Sequence, residues 1–314
     1  MSWAKSNGVP KTNPTRLLEL DYSAEPPRAR LLASTDRLGA HVRYVTLSHC
    51  WGDSVPLRLV HSNMGAMEDG IDIQQLPRTF QECFRVAHEV GIRYLWIDSL
   101  CIVQDSEEDW QREAGLMEQV YSNCYLNIAA SESSNGTEGL FRERDPRSAG
   151  STYVQITWVV QERFLSPRTV HYHQEQLAWE CSESFTLEGL PAGVDLRKDA
   201  STLFKQHNAS IATIPLSADK LYKVYELWDT LVIRYTTGCL SFSSDRPIAV
   251  AGIARVICHH LNLAPSDYHS GLWRPRFVEG LCWIVINTPR KTKHAFMNFQ
   301  KTAFWAIRLG PGSP

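Results

Sequence analysis

Between residues 42 and 130, strand-like runs alternate with helical repeats, and this alternation constrains the chain more than any other feature. Val42-Arg43-Tyr44-Val45-Thr46-Leu47 is β-branched and partly alternating, which favours a strand. Leu76-Pro77 opens a helix, because proline is tolerated in a first turn whose N–H has no partner to lose. Phe80, Cys83, Phe84 and Ala87 fall at i, i+3, i+4 and i+7, and Gly91 is placed to end the helix. Arg93-Tyr94-Leu95-Trp96-Ile97 is a short apolar strand. Asp105 or Ser106 can cap the next helix, with Glu108 or Asp109 completing a capping box. Glu107, Glu108 and Asp109 suit the positive end of its dipole. Trp110, Ala114, Met117, Tyr121 and Cys124 form a narrow apolar stripe along it, and Tyr125–Ala130 reads as a third strand.

Strand–helix–strand–helix–strand with helices this long is a βαβαβ unit, so the expected class is α/β with a parallel sheet flanked by helices. Ligands of such sheets bind beyond the carboxyl ends of the strands. Here those ends deliver Ser48-His49-Cys50-Trp51, Asp98-Ser99-Leu100-Cys101 and Ser131-Glu132-Ser133 to one rim. Residues 1–41, with Pro26-Pro27, read as an irregular lead-in or a short edge element. Periodicity weakens after Phe141, and a mixed α+β region is expected there. Trp158–Leu165 suggests a helix, and Thr169–Tyr172 with Gln176–Cys181 suggests a strand pair. Residues 185–217 read as loop-like. Leu221–Tyr235 and Arg246–Leu261 read as helices, the latter with Pro247 in its first turn.

Composition excludes several function classes. There are 32 basic and 34 acidic residues, so no basic excess exists to neutralise phosphates, and nucleic acid is not an expected partner. With 43% hydrophobic residues the chain can bury a real core and is not mainly disordered. No apolar run approaches the ~18 residues of a membrane helix, and the N-terminus lacks a secretory apolar stretch. The eight cysteines form no CxxC pair and several lie in apolar segments, which reads as reduced thiols in the cytoplasm. Neither GxGxxG nor GxxxxGK[ST] occurs. His171-x-His173 and His259-His260 lack zinc-ligand spacing and read as surface residues, so no metal is expected.

The blocks Tyr44–Gly52, Leu76–Phe80, Tyr94–Asp105, Asp109-Trp110 with Glu113, Met117 and Tyr121, and Gly139-Leu140-Phe141 together resemble the fungal heterokaryon incompatibility (HET) domain. Trp158–Arg163 with Leu165–Arg168, Leu177–Cys181, Ser244–Ala254 and Tyr268–Trp273 extend the resemblance to about residues 42–283. It implies a lead-in at 1–41, a core at 42–150, a family-associated α+β region at 151–284 and a divergent tail at 285–314. It also implies a remote similarity to TIR domains, flavodoxin-like sheets that signal by assembly. Some TIR domains cleave NAD with a glutamate. The implied function is self/non-self recognition and regulated cell death through self-association, together with an unidentified incompatibility partner protein. A TIR-like NAD glycohydrolase and a small-molecule tailoring or cyclising enzyme of secondary metabolism are the alternatives, with NAD or another small molecule as the ligand.

Glu113 is the first candidate for catalysis. A helical wheel sets it beside Trp110 and Met117, at the border of the buried stripe. A partly desolvated carboxylate has a raised pKa and stabilises an oxocarbenium-like ribosyl centre. Glu113 is also about two turns into its helix, ~10 Å from the rim. Asp98 ends an apolar strand, where a carboxylate needs partners. It is a candidate for orienting a catalytic group or holding a ribose hydroxyl. Ser48, Ser99 and Cys101 are candidates for contacting the ligand, and Trp51, with Trp96 and Trp110, for stacking on it. Each has a plainer reading, as turn hydroxyl, buried thiol or core aromatic. His49 is a poor base for Cys50, since neighbours on a strand point oppositely.

Overall fold

The computed structural model describes residues 11–39, 41–52, 57–144, 160–192, 204–237 and 246–281. The expectations for Trp158, for Cys239 and Cys282, and for the tail at 285–314 lie outside the described residues. The chain divides into two compact units, Met1–Ala209 and Ser210–Pro314.

The first unit opens with a hairpin. Strands β1 (Leu17–Asp21) and β2 (Arg28–Leu32) pair antiparallel, from Leu17↔Leu32 to Asp21↔Arg28. Leu17, Leu18 and Leu20 are buried, and the buried Glu19 between them accepts from Arg30 at 2.6 Å and faces Arg93 at 2.9 Å. The lead-in is therefore neither irregular nor an edge: β1 lies between β2 and a core strand. Its Leu-Leu-Glu-Leu run can be buried on both faces because paired arginines satisfy the one carboxylate.

The central elements follow in order: β3 (Tyr44–Ser48), α1 (Met64–Asp69), β4 (Ile71–Asp72), α2 (Arg78–Glu89), β5 (Tyr94–Trp96), α3 (Asp98–Cys101), α4 (Glu107–Asn123) and β6 (Leu126–Ala129). Then come α5 (Val160–Leu165), β7 (Arg168–Tyr172), β8 (Leu177–Cys181) and β9 (Phe185–Leu187). All nine strands form one sheet in the order β4-β2-β1-β5-β3-β6-β7-β8-β9. Its centre, β5-β3-β6-β7, is parallel, and everything outside is antiparallel. The class is α/β as expected, but the sheet is mixed. In chain order the parallel strands run second-first-third-fourth, the flavodoxin-type arrangement, which places a topological switch point between β3 and β6. The sheet continues past residue 150, since β7, β8 and β9 extend it.

Helix α2 buries Phe80, Cys83, Phe84 and Ala87, the face its spacing marks, and Gly91 follows with φ 69°. Ser106 caps α4, its hydroxyl accepting from the Asp109 N–H at 3.2 Å. The Asp109 carboxylate does not complete a capping box, because it turns inward onto Arg16. The buried face of α4 is consequently rotated: Asp109, Glu113, Ala114, Val120 and Tyr121 are inside, whereas Trp110 and Met117 are half-buried.

Helix α6 (Phe204–Thr213) spans the boundary between the units. The second unit holds α7 (Ala218–Thr237), α8 (Arg246–Leu261), the small hairpin β10 (Tyr268–His269) with β11 (Leu272–Trp273), and α9 (Phe277–Leu281). Pro247 occupies the first turn of α8. Trp228, Tyr268 and Trp273 pack ring against ring at 5.0–5.6 Å. Residues 185–217, expected as loop, contain β9 and α6. Among the described residues no helix is long and apolar enough to cross a membrane.

Candidate functional site

The carboxyl ends of β3, β5 and β6 meet at the switch point. The Ala130 N–H donates to Ser48 O at 2.9 Å, tying the exits of β3 and β6 together. Gly52, with φ 67°, packs so closely under the loop after β6 that a Cβ would lie 2.6 Å from Asn135 Cβ. Only glycine fits that turn at that distance.

Asp98 is the hub of the rim. It stands just after β5 and is half-buried. Its Oδ2 accepts from Trp51 Nε1 at 2.9 Å and its Oδ1 from the Ser99 N–H at 2.7 Å. His49 Nδ1 lies 3.9 Å from Oδ1. The imidazole is buried and meets Phe80 edge-on at 5.0 Å. Burial holds its pKa below the ordinary histidine value, against the pull of Asp98.

Beneath the rim, Thr46 and Ser48 both donate to Asn127 Oδ1, at 2.9 and 3.0 Å, and Tyr121 hydrogen-bonds Ser48. Among the described residues, His49 Nδ1, Ser99 Oγ and Asn127 Nδ2 are three of the buried polar atoms with no hydrogen-bond partner. Such orphans are uncommon in a native interior, and a bound polar molecule or ordered water would satisfy them.

A further carboxyl, Glu162 on α5, senses the charge of Asp98. It is half-buried, and burial followed by the nearby charge of Asp98 raises its pKa to about 7. Tyr121 also senses its charge. A carboxyl whose pKa is raised by burial and by a second carboxyl is a candidate general acid. In the sequence Glu162 stands only within the Trp158–Arg163 block that resembles the HET domain, and no periodicity marks it out.

Glu113 lies in the interior, and its charge, like that of Asp98, acts on Cys101. It is 1% exposed, not at a border, and its Oε1 lies 3.3 Å from Arg112 Nε and 3.8 Å from Arg16 Nη1. Burial raises its pKa, opposed by Thr15 and Arg16. Arg16 donates to both Asp109 oxygens, at 3.0 and 2.7 Å, and to Cys101 O at 3.0 Å. Glu113 thus belongs to a buried ion network linking the N-terminal segment to α4. Ser48, Ser99 and Cys101 are buried, and Trp51 and Asp98 are the half-buried members of the predicted set. Burial pushes the Cys101 thiol up to about 12, which keeps it protonated at neutral pH. Contrary to the surface reading, His171, His173 and His260 are buried. Among the described residues no group of three or more His, Cys, Asp or Glu is arranged to hold a metal ion.

Residues 44–186 match the family model described as heterokaryon incompatibility protein (HET). This stretch is a HET domain. Its bounds enclose β3 to β8, all four parallel strands and every rim residue from Ser48 to Glu162. Arg16 and the β1–β2 hairpin lie outside the HET match yet pack into its sheet. Comparison with curated proteins and with solved structures finds no match.

Proposed function

We propose that the HET domain acts in self/non-self recognition and regulated cell death, and that the crevice around Asp98 and Glu162 binds the small molecule on which the response depends. Electrostatic coupling supports the reading: the Glu162 carboxyl is raised by burial and by the charge of Asp98, which comes from a separate element, and His49 Nδ1, Ser99 Oγ and Asn127 Nδ2 lack partners among the described residues. Trp51 is held by Asp98 as the apolar wall of the crevice. Self-association brings HET domains together and couples crevice occupancy to the response. The test is expression in a filamentous fungal host. Loss of viability with the native chain, abolished by Asp98→Asn or Glu162→Gln at equal protein level, supports the crevice. Full killing by both variants refutes it and leaves assembly alone as the mechanism.

Within this reading, NAD cleavage is the favoured chemistry. An acidic, partly desolvated crevice with an aromatic wall suits a ribosyl cation and a nicotinamide ring. Glu162 supplies the titrating carboxyl and Glu113 stabilises α4 from within. Purified protein releasing nicotinamide from NAD, with Glu162→Gln losing at least 100-fold and a folded Glu113→Gln retaining the rate, supports the assignment. A Glu113→Gln chain that folds but is inactive returns the catalytic role to Glu113.

A further inference from the structure

Beyond the exit of β6, the sheet carries a second polar cluster. Ser131 Oγ lies 3.2 Å from His171 Nδ1, and His171 Nε2 lies 3.2 Å from Glu180 Oε2. Arg163 grips the same carboxylate bidentately, Nε to Oε2 at 2.7 Å and Nη2 to Oε1 at 3.1 Å. The sheet register builds this chain. Ala129 pairs with His171 across β6 and β7, and His171 with Ala178 across β7 and β8. Ser131 and Glu180 each lie two residues further on, so all three side chains share one face. Lys205 adds a positive charge near Glu180 and donates to Thr169 Oγ1 at 2.5 Å.

The charge states set a neutral ring between a carboxylate and a serine hydroxyl. Arg163, His171 and Lys205 overcome burial and hold the Glu180 carboxyl well below the usual carboxylate range. Burial lowers His171 to about 4, so the ring is neutral at physiological pH. An ionised Glu180 accepts the Nε2–H, which fixes the tautomer and leaves the Nδ1 lone pair facing the Ser131 hydroxyl. The two ring nitrogens are exchanged relative to the familiar serine-protease triad, but the roles are the same.

We propose that Ser131 is an acyl-transfer nucleophile, with His171 as its base and Glu180 as the residue that positions His171, acting on esters or thioesters of small acyl groups. Ser131 Oγ attacks the carbonyl carbon while its proton passes to His171 Nδ1. The imidazolium returns that proton to the departing alkoxide or thiolate, leaving an acyl-Ser131 ester. Water then attacks the ester, loses a proton to His171 and releases the carboxylic acid and Ser131. A small acyl group is specified because Ser131 is only 4% exposed and follows the buried Ala129 and Ala130. This activity is separate from the Asp98–Glu162 reading, and its test uses neither viability nor NAD.

The full chain would be incubated with a methyl fluorophosphonate ester, a covalent probe of activated serines, and the adduct mapped by peptide mass spectrometry. The expected result is one adduct, on Ser131, that forms on the folded chain and not after heat denaturation. Ser131→Ala, which removes one hydroxyl, should abolish it. Glu180→Gln should lower the maximal labelling rate at least tenfold without changing the probe concentration for half-maximal rate, an effect that lost packing alone would not isolate. Absence of an adduct on Ser131 of the folded native chain would overturn the proposal, as would equal labelling rates in the native and Glu180→Gln chains.

Discussion

Single residues decide how charge is tolerated inside this protein. The Arg16–Asp109 pair is almost fully buried at 2.7 Å, and removing Arg16 leaves the Asp109 charge to the half-exposed Arg112 and the Val103 N–H. Arg16→Met should destabilise the fold by about 3–5 kcal/mol, read as a shift in urea midpoint. Glu162 makes a pH-dependent contribution of definite sign. Its folded pKa of about 7 exceeds the ordinary 4.5, so the folded state binds the proton more tightly. The stability from protonated Glu162 is complete below pH 4.5 and is lost as pH rises through 7. Unfolding midpoints should therefore fall across that window in the native chain relative to Glu162→Gln; parallel profiles would contradict the assignment. Residue roles were only partly legible in the sequence. Asp98 at the end of an apolar strand announced a need for partners, and Trp51 and Ser99 supply them. The burial of Glu113 was hidden, because its neighbour Arg16 lies 97 positions away and a helical wheel sees only its own helix.

Elements with their own periodicity read correctly from sequence. Strands β3, β5 and β6 and helices α2 and α4 carry their signals locally, in β-branched runs and i, i+3, i+4 spacing. Ser106→Ala should cost about 1 kcal/mol through the lost cap of α4, measurable by thermal unfolding. The β1–β2 hairpin was missed because a five-residue run broken by Glu19 looks like polar lead-in until Arg30 and Arg93 are placed beside it. The α4 stripe was rotated for a related reason. Buried acids paired to Arg16 do not register in a hydrophobic pattern. At the rim, Gly52→Ala should destabilise by about 2 kcal/mol, since an L side chain meets both an unfavourable φ and Asn135. The same substitution should weaken the Trp51–Asp98 contact, visible as a change in tryptophan fluorescence.

The whole molecule depends on a segment outside the HET match. β1 completes the edge of the parallel core beside β5, and Arg16 neutralises α4. A chain beginning at residue 42 should lose cooperative folding, seen as the absence of a sigmoidal urea transition, because it exposes β5 and leaves Asp109 and Glu113 buried without Arg16. Chain topology also explains why the proposed site was half legible. The βαβαβ order fixes which strand ends converge, so Ser48 and Asp98 could be placed together in advance. Glu162 arrives after a long connection on α5, and no local pattern ties it to Asp98. The most direct test of that long-range meeting is a carbon-13 titration of the Glu162 carboxyl in the native chain and in Asp98→Asn. The expected midpoint is near 7 and falls when the Asp98 charge is removed, yet stays above the ordinary value because burial is the larger cause. A midpoint at 4.5, unmoved by Asp98→Asn, would mean that the two carboxyls share no crevice.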